Sequence, residues 1–395
     1  MNLNKNNSYL CQKLINKEMK PKNLLKAALL SCVVILSSCT KDKDVVTPIT
    51  CTVEAPSDYT FMIDGSSTVS YGGQTARLQM AGELGSALSD ANTTASALMG
   101  MFAHEEGGMD FVGEGLNAST KQIKNKTAGK GDASVQAAIH SSFDAWFTDY
   151  ADNVAPAIAA GTMAISGTAG MVGNRELNAH GMEYDQIIAK SLIGGLCLDQ
   201  VVNGYLSDSK IGDAVDNTTR VATEDNNSTA MEHHWDEGFG YVYGMFGENN
   251  ITGDLGTEGL LGKYLNKYDD HSSTVFDAFK KGRQAIVDNC SEVRDEQAQI
   301  IKETLSIVVA LRAESYLRDA AAADNLSADY FHALSEGYGF ILSLQFTYTS
   351  TGYAYFTNAE VNDMLSTLGA GNGFWDRTDA ELIVMADAIN AVTGL

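Results

Sequence analysis

Two stretches of this chain repeat one pattern of groups that could do chemistry. His233-His234-Trp235-Asp236-Glu237-Gly238-Phe239-Gly240-Tyr241 and His332-Ala333-Leu334-Ser335-Glu336-Gly337-Tyr338-Gly339-Phe340 share His-x-x-x-Glu-Gly-aromatic-Gly-aromatic, 99 residues apart. On a helix, residues four apart share a face, so each His can act with its Glu. Two such pairs on facing helices could surround one point, as metal sites in helical bundles do. Imidazole mixed with carboxylate suits iron, zinc or manganese. The competing reading is structural. Each helical glycine costs about 1 kcal/mol relative to alanine and is tolerated where another backbone comes close, with His and Glu bonding each other or a neighbour. A third cluster, His180 and Glu183, is spaced three apart at an expected helix start, where the helix dipole alone would favour Glu183.

These groups need helices to hold them, and the chain supplies helical periodicity nearly throughout. Apolar residues recur at helical spacing over about 74–89, 93–104, 134–151, 183–203, 228–245, 272–289, 292–322, 327–346, 358–367 and 378–392. The segment 292–322 is the clearest, and Ser327 is a good N-cap for the helix after it. Past Pro56 the only proline is Pro156. Tyr59–Ile63, Asp64-Gly65 and Thr68–Tyr71 read as a small β-hairpin. Gly-rich stretches at 105–117, 159–175 and 246–259 read as long loops. The expected fold is all-α, paired helical bundles with a small N-terminal hairpin and long Gly-rich loops. The duplicated pattern suggests related halves at 58–225 and 226–395.

The N-terminus predicts where the protein works. Lys20, Lys22 and Lys26 precede an apolar run, Ala27–Leu36, too short to span a bilayer as a helix. Small residues and Cys39 follow, so 1–38 reads as a secretory signal, with Met19 as the expected true start. Leu36-Ser37-Ser38-Cys39 resembles the lipobox of bacterial lipoproteins. That resemblance implies a mature N-terminus at a lipidated Cys39, a tether over 39–57, and a place in the cell envelope, at the periplasmic or outer face of the outer membrane. Removing the six lysines and one acid before Cys39 takes 27 bases to 21 and 50 acids to 49, a net charge of −28. Such a surface repels nucleic acid. Cys51, Cys197 and Cys290 then remain. In an oxidising envelope two can pair; Cys197–Cys290 is the preferred pair, since both lie in or beside helices and Cys51 in the tether, with buried free thiols as the alternative.

His180 to Tyr184, with Asn178 before it, resembles the Gly-x-His-x-x-Glu motif of imelysin-like proteins, in which an aromatic residue follows the Glu. Asn178 stands where those proteins have Gly. The resemblance implies paired helical bundles and a link to iron uptake, with His180 and Glu183 in the motif's roles. Residues 55–394 are also similar to an uncharacterised family of bacterial helical lipoproteins, a domain of unknown function. That likeness runs through the hairpin, Gln74-Thr75-Ala76-Arg77, Glu183-Tyr184 and the His-Trp-Asp-Glu segment.

Three functions follow as expectations. The first is a membrane-anchored, imelysin-like, non-catalytic binding protein for iron or other metal uptake, acting with an envelope partner. Its candidate ligands are His180, Glu183, His233, Glu237, His332 and Glu336, and its metal iron or zinc. The second is a metal-dependent peptidase with Glu183 or Glu237 as base, although His233-His234-Trp235-Asp236-Glu237 lacks the spacing of the His-Glu-x-x-His zinc motif. The third is a structural lipoprotein that presents its loops to a partner. No nucleophile elbow or phosphate loop occurs. His104-Glu105-Glu106 reads as a solvated helix end, and His140 with Asp144 as a core edge.

Overall fold

The computed structural model describes residues 51–222 and 227–394. Cys39, the signal region and the start of the tether lie outside them. After a short hairpin of β1 (Met62–Ile63) and β2 (Ser66–Ser67), the chain forms α1 (Gly72–Ala87), α2 (Ala95–Phe102), α3 (Ala133–Asp149) and α4 (Ala155–Ala159). A second hairpin, β3 (Gly170–Val172) and β4 (Arg175–Leu177), leads into α5 (Tyr184–Leu192), which continues as wider π-helical turns to Tyr205. Next come α6 (Asp208–Ile211) and a third two-stranded pair, β5 (Val221–Ala222) and β6 (Asn227–Ser228). The chain ends with α7 (Ala230–Tyr243), α8 (Leu260–Leu265), α9 (Asp269–Val287), α10 (Ser291–Ala322), α11 (Ala328–Ser343), α12 (Asn358–Gly369) and α13 (Asp379–Thr393). The all-α expectation holds, with small antiparallel hairpins as the only sheet among the described residues.

Local chemistry sets the helix starts. Thr94, Asp132 and Ser327 accept backbone N–H groups as N-caps, and Thr229, Thr357 and Thr378 form reciprocal capping boxes with Glu232, Glu360 and Glu381. A π-helical stretch, Tyr150–Val154, joins α3 to α4 without a break, and Pro156 just after it lacks the N–H that would bond back to that turn. The stretch 159–175, read as a plain loop, holds strand β3. There Gly170 (φ +158°) leaves no room for a Cβ beside the Thr162 carbonyl and Ala164 N–H.

The long helix α10 lies along α9, α11 and α13, and α11 in turn lies along α5. Helix α7 packs on α1 and on the π-helical turns after α5. Helices from before residue 225 therefore pair with helices from after it. Residues 58–225 and 226–395 interleave in one compact unit rather than packing as separate bundles.

The disulfide differs from the expected pair. Cys51 bonds to Cys290, 239 residues away, and Cys197 is a fully buried free thiol. Cys197 lies in the π-helical turns, and burial pushes its pKa up to about 12. Val53 packs with Ala285, Cys290 and Val293, so the tether ends at Cys51 rather than at residue 57.

His104 also differs from expectation. It is buried, its Nδ1 2.6 Å from Asp110 Oδ2, with the Phe111 ring edge-on. His140 fits its expected place at the core edge, with Nε2 3.0 Å from the Thr127 carbonyl.

Candidate functional site

The C-terminal copy of the pattern is sealed. Ser327 starts α11, which sets His332 and Glu336 one turn apart. Gly339 lets α11 lie directly on α5, since a Cβ there would come within 2.6 Å of Lys190 Cβ and 2.7 Å of the Ile187 carbonyl. The close approach delivers partners for both side chains. His332 Nδ1 lies 2.7 Å from Glu183 Oε2, and its Nε2 lies 3.6 Å from Glu336 Oε2. Lys190 Nζ lies 3.0 Å from Glu336 Oε1, to which the Tyr264 hydroxyl also donates at 3.0 Å. Arg175 Nη1 reaches Glu183 Oε1 at 3.5 Å, and the Ser335 hydroxyl accepts the Glu183 N–H. Burial alone would raise the Glu336 pKa, but the Lys190 ammonium outweighs it and holds the carboxyl below its usual range. Burial pulls the Lys190 pKa down, against the pull of Glu336.

The N-terminal copy is open. Thr229 and Glu232 fix the start of α7. The three residues between the matched His and Glu serve packing. His234 Nδ1 meets the Lys210 carbonyl at 2.8 Å, and the Trp235 indole donates to the Phe279 carbonyl. Asp236 joins a fully buried set in which Arg283 Nε lies 3.0 Å and the Tyr59 hydroxyl 2.7 Å from Asp236 Oδ1. His233 and Glu237 instead face a cavity of about 600 Å³. His233 Nε2 and Glu237 Oε2 are 3.9 Å apart, and His233 Nδ1 is buried with no hydrogen-bond partner. No Lys or Arg pairs with Glu237 among the described residues; its partner is the Gln74 amide at 3.1 Å, which also reaches the Tyr205 hydroxyl at 3.3 Å.

The six expected ligands therefore divide among three places. Glu183, His332 and Glu336 meet, while His233 and Glu237 line a cavity that shares no residue with them. The glycines explain the separation: Gly240 packs against Tyr71 at the start of α1, whereas Gly339 packs against α5. His180 is exposed, and the structure uses its backbone rather than its ring. Its N–H goes to Asn178 Oδ1 and its carbonyl accepts from Phe374. Asn178 also takes the Met182 N–H and donates to the Tyr184 hydroxyl. Asn178 thus builds the turn that carries Glu183.

Among the described residues, the one trio of His, Cys or carboxylate ligand atoms lying within 4.8 Å of one another is Cys51, Cys290 and Glu292, where both sulfurs are already bonded to each other. Around His332, Glu183 and Glu336 are committed to Arg175 and Lys190. As packed, these residues do not form a coordination sphere for iron or zinc.

Sequence reading missed the cavity's other walls. Gln74 and Arg77 come from α1, Lys121 and Lys126 from the loop before α3, and Tyr205 from the π-helical turns. Another cavity, about 650 Å³, lies elsewhere, beside Asp199, Lys302 and Tyr348, and contains none of the expected residues. The duplicated pattern was the available signal for the cavity at Glu237, because it singled out His233 and Glu237 as a pair on one helix face. No curated protein and no solved structure matches the chain. A family profile described as a domain of unknown function matches residues 56–395, which is nearly the whole described body, and the chain belongs to that family, DUF4856.

Proposed function

We propose that this protein is a non-catalytic binding protein, held at the cell envelope by a lipidated Cys39, and that the cavity between α1 and α7 is its ligand site. One observation carries the reading. The same nine-residue pattern occurs twice, once closed by Lys190 and once left around a cavity in which no lysine or arginine pairs with Glu237 among the described residues. The volume falls in the range of small-molecule sites, roughly 300–1,000 Å³. The experiment purifies the full chain from its own cells and surveys released small molecules by mass spectrometry. Ser70→Trp, which fills the cavity wall, is the control. A molecule released from the parent protein and absent from the variant supports the reading. Identical releases from both would sink it.

A second reading, metal acquisition of the imelysin-like kind, is favoured by the contact between Glu183, the Glu of the His180 motif, and His332 at 2.7 Å. It requires iron or zinc to displace Arg175 and Lys190 from the two carboxylates. Elemental analysis of the metal-loaded chain beside His332→Ala tests it, and equal metal content in the two proteins would end it.

A further inference from the structure

We propose that the cavity at His233 and Glu237 binds a singly charged, hydroxylated carboxylate of the sugar-acid type. The inference rests on the reading of that cavity as a ligand site and adds the chemical class.

The first argument is charge. The chain carries 50 acids against 27 bases, yet three bases converge here. Arg77, Lys121 and Lys126 line the cavity, and none has a carboxylate within ion-pair distance among the described residues. Arg77 is 6 % exposed and held rigidly, its Nε donating to the Gln122 carbonyl at 3.1 Å and its Nη1 to the Gly73 carbonyl at 3.0 Å. Gly73 makes the room for Lys121, because a Cβ at that position would lie 2.9 Å from Lys121 Cε. Burial first, and then the neighbouring charges of Arg77 and Lys130, pull the Lys126 pKa below its usual value. A buried guanidinium and two crowded ammonium groups without counter-ions favour an anion between them.

The second argument is what shares the cavity. Two carboxylates line it as well. Glu248 is spent on the α1 N-terminus, where it accepts the Tyr71 and Gly72 N–H groups. Glu237 keeps an oxygen toward the cavity, beside His233. Three cations against two carboxylates leave an excess of about one positive charge, which a single carboxylate matches better than a phosphate dianion. Glu237, the Tyr205 hydroxyl and the His233 imidazole through its Nε2 would meet ligand hydroxyls.

Calorimetry on the full chain in detergent tests the class with glucuronate, gluconate, glucose and inorganic phosphate as probes. Glucuronate or gluconate should bind, and which of the two binds separates a cyclic from an open-chain acid. Glucose should not bind. Lys121→Gln and Lys126→Gln should each weaken binding about tenfold with unchanged melting temperature, and added salt should weaken it in the parent. The class is overturned if neither acid binds, if phosphate binds more tightly than both, or if neither lysine variant alters the affinity. If glucose binds and Ser70→Trp abolishes it, the cavity remains a ligand site and only the anion class falls.

Discussion

The helices α7 and α11 carry the same pattern and put it to opposite use. In α11, Glu336 is 7 % exposed and meets Lys190 and Tyr264. In α7, Glu237 meets an amide and faces a cavity. The cause is the partner each glycine admits. Gly339 admits the middle of α5, which brings a lysine with it, whereas Gly240 admits the first residues of α1, which bring Tyr71 and Gln74. The His-x-x-x-Glu spacing fixes only that two groups share a helix face. Whether that face becomes a latch or a site is decided by what crosses it.

The largest expected difference between the copies is in stability. Glu336→Gln leaves the Lys190 ammonium buried without a carboxylate and should cost about 3 kcal/mol, read from urea denaturation. Glu237→Gln removes no buried ion pair and should cost under about 1 kcal/mol. Equal costs would dissolve the distinction between latch and site. Next, replacing both latch partners, Lys190→Met with Glu336→Leu, should cost about 2 kcal/mol less than Glu336→Gln alone, because no stranded charge remains. A double variant as unstable as the single one would mean that packing, not charge, holds the latch.

A smaller effect separates the histidines. His332→Gln loses the 2.7 Å contact to Glu183 and should cost about 1 kcal/mol, whereas His233→Gln should leave the melting temperature unchanged. A last expected effect is in pH dependence beside Glu183. Burial, reinforced by the charge of Glu183, pushes Asp185 up to about 6 from 3.8. A carboxyl whose folded pKa is raised binds protons more tightly in the native state, so its contribution falls as pH rises from about 4 to 6. Asp185→Asn should flatten that part of the stability profile, by at most about 3 kcal/mol. An unchanged profile would show that Asp185 is solvated as freely as in the unfolded chain.

Helix positions were legible because they rest on local signals. Periodicity placed 292–322 within a residue of α10, and Ser327 caps α11 as its type and position suggested. Pairings made across the chain were not legible. Lys190 with Glu336, Gln74 with Glu237 and Cys51 with Cys290 join residues 146, 163 and 239 positions apart, and composition and spacing carry no trace of them. His104 misled for a related reason: beside two exposed acids it looks solvated, and only Asp110 and Phe111 folding back over it make it a core residue. His180 failed as a site residue because Asn178 turns the chain with its own amide, which needs the His180 backbone and leaves the ring outside.

The Cys51–Cys290 bond also sets a mechanical path. Were Cys39 lipidated, as proposed, twelve peptide steps would separate membrane from disulfide, a leash of at most about 40 Å. Any drag on the body would divide at Cys51, part passing along the backbone toward the β1–β2 hairpin and part through sulfur to Cys290, the junction of α9 and α10, and so into the longest helix of the fold. With the load shared between two roots, α1, which walls the cavity, would carry only part of it.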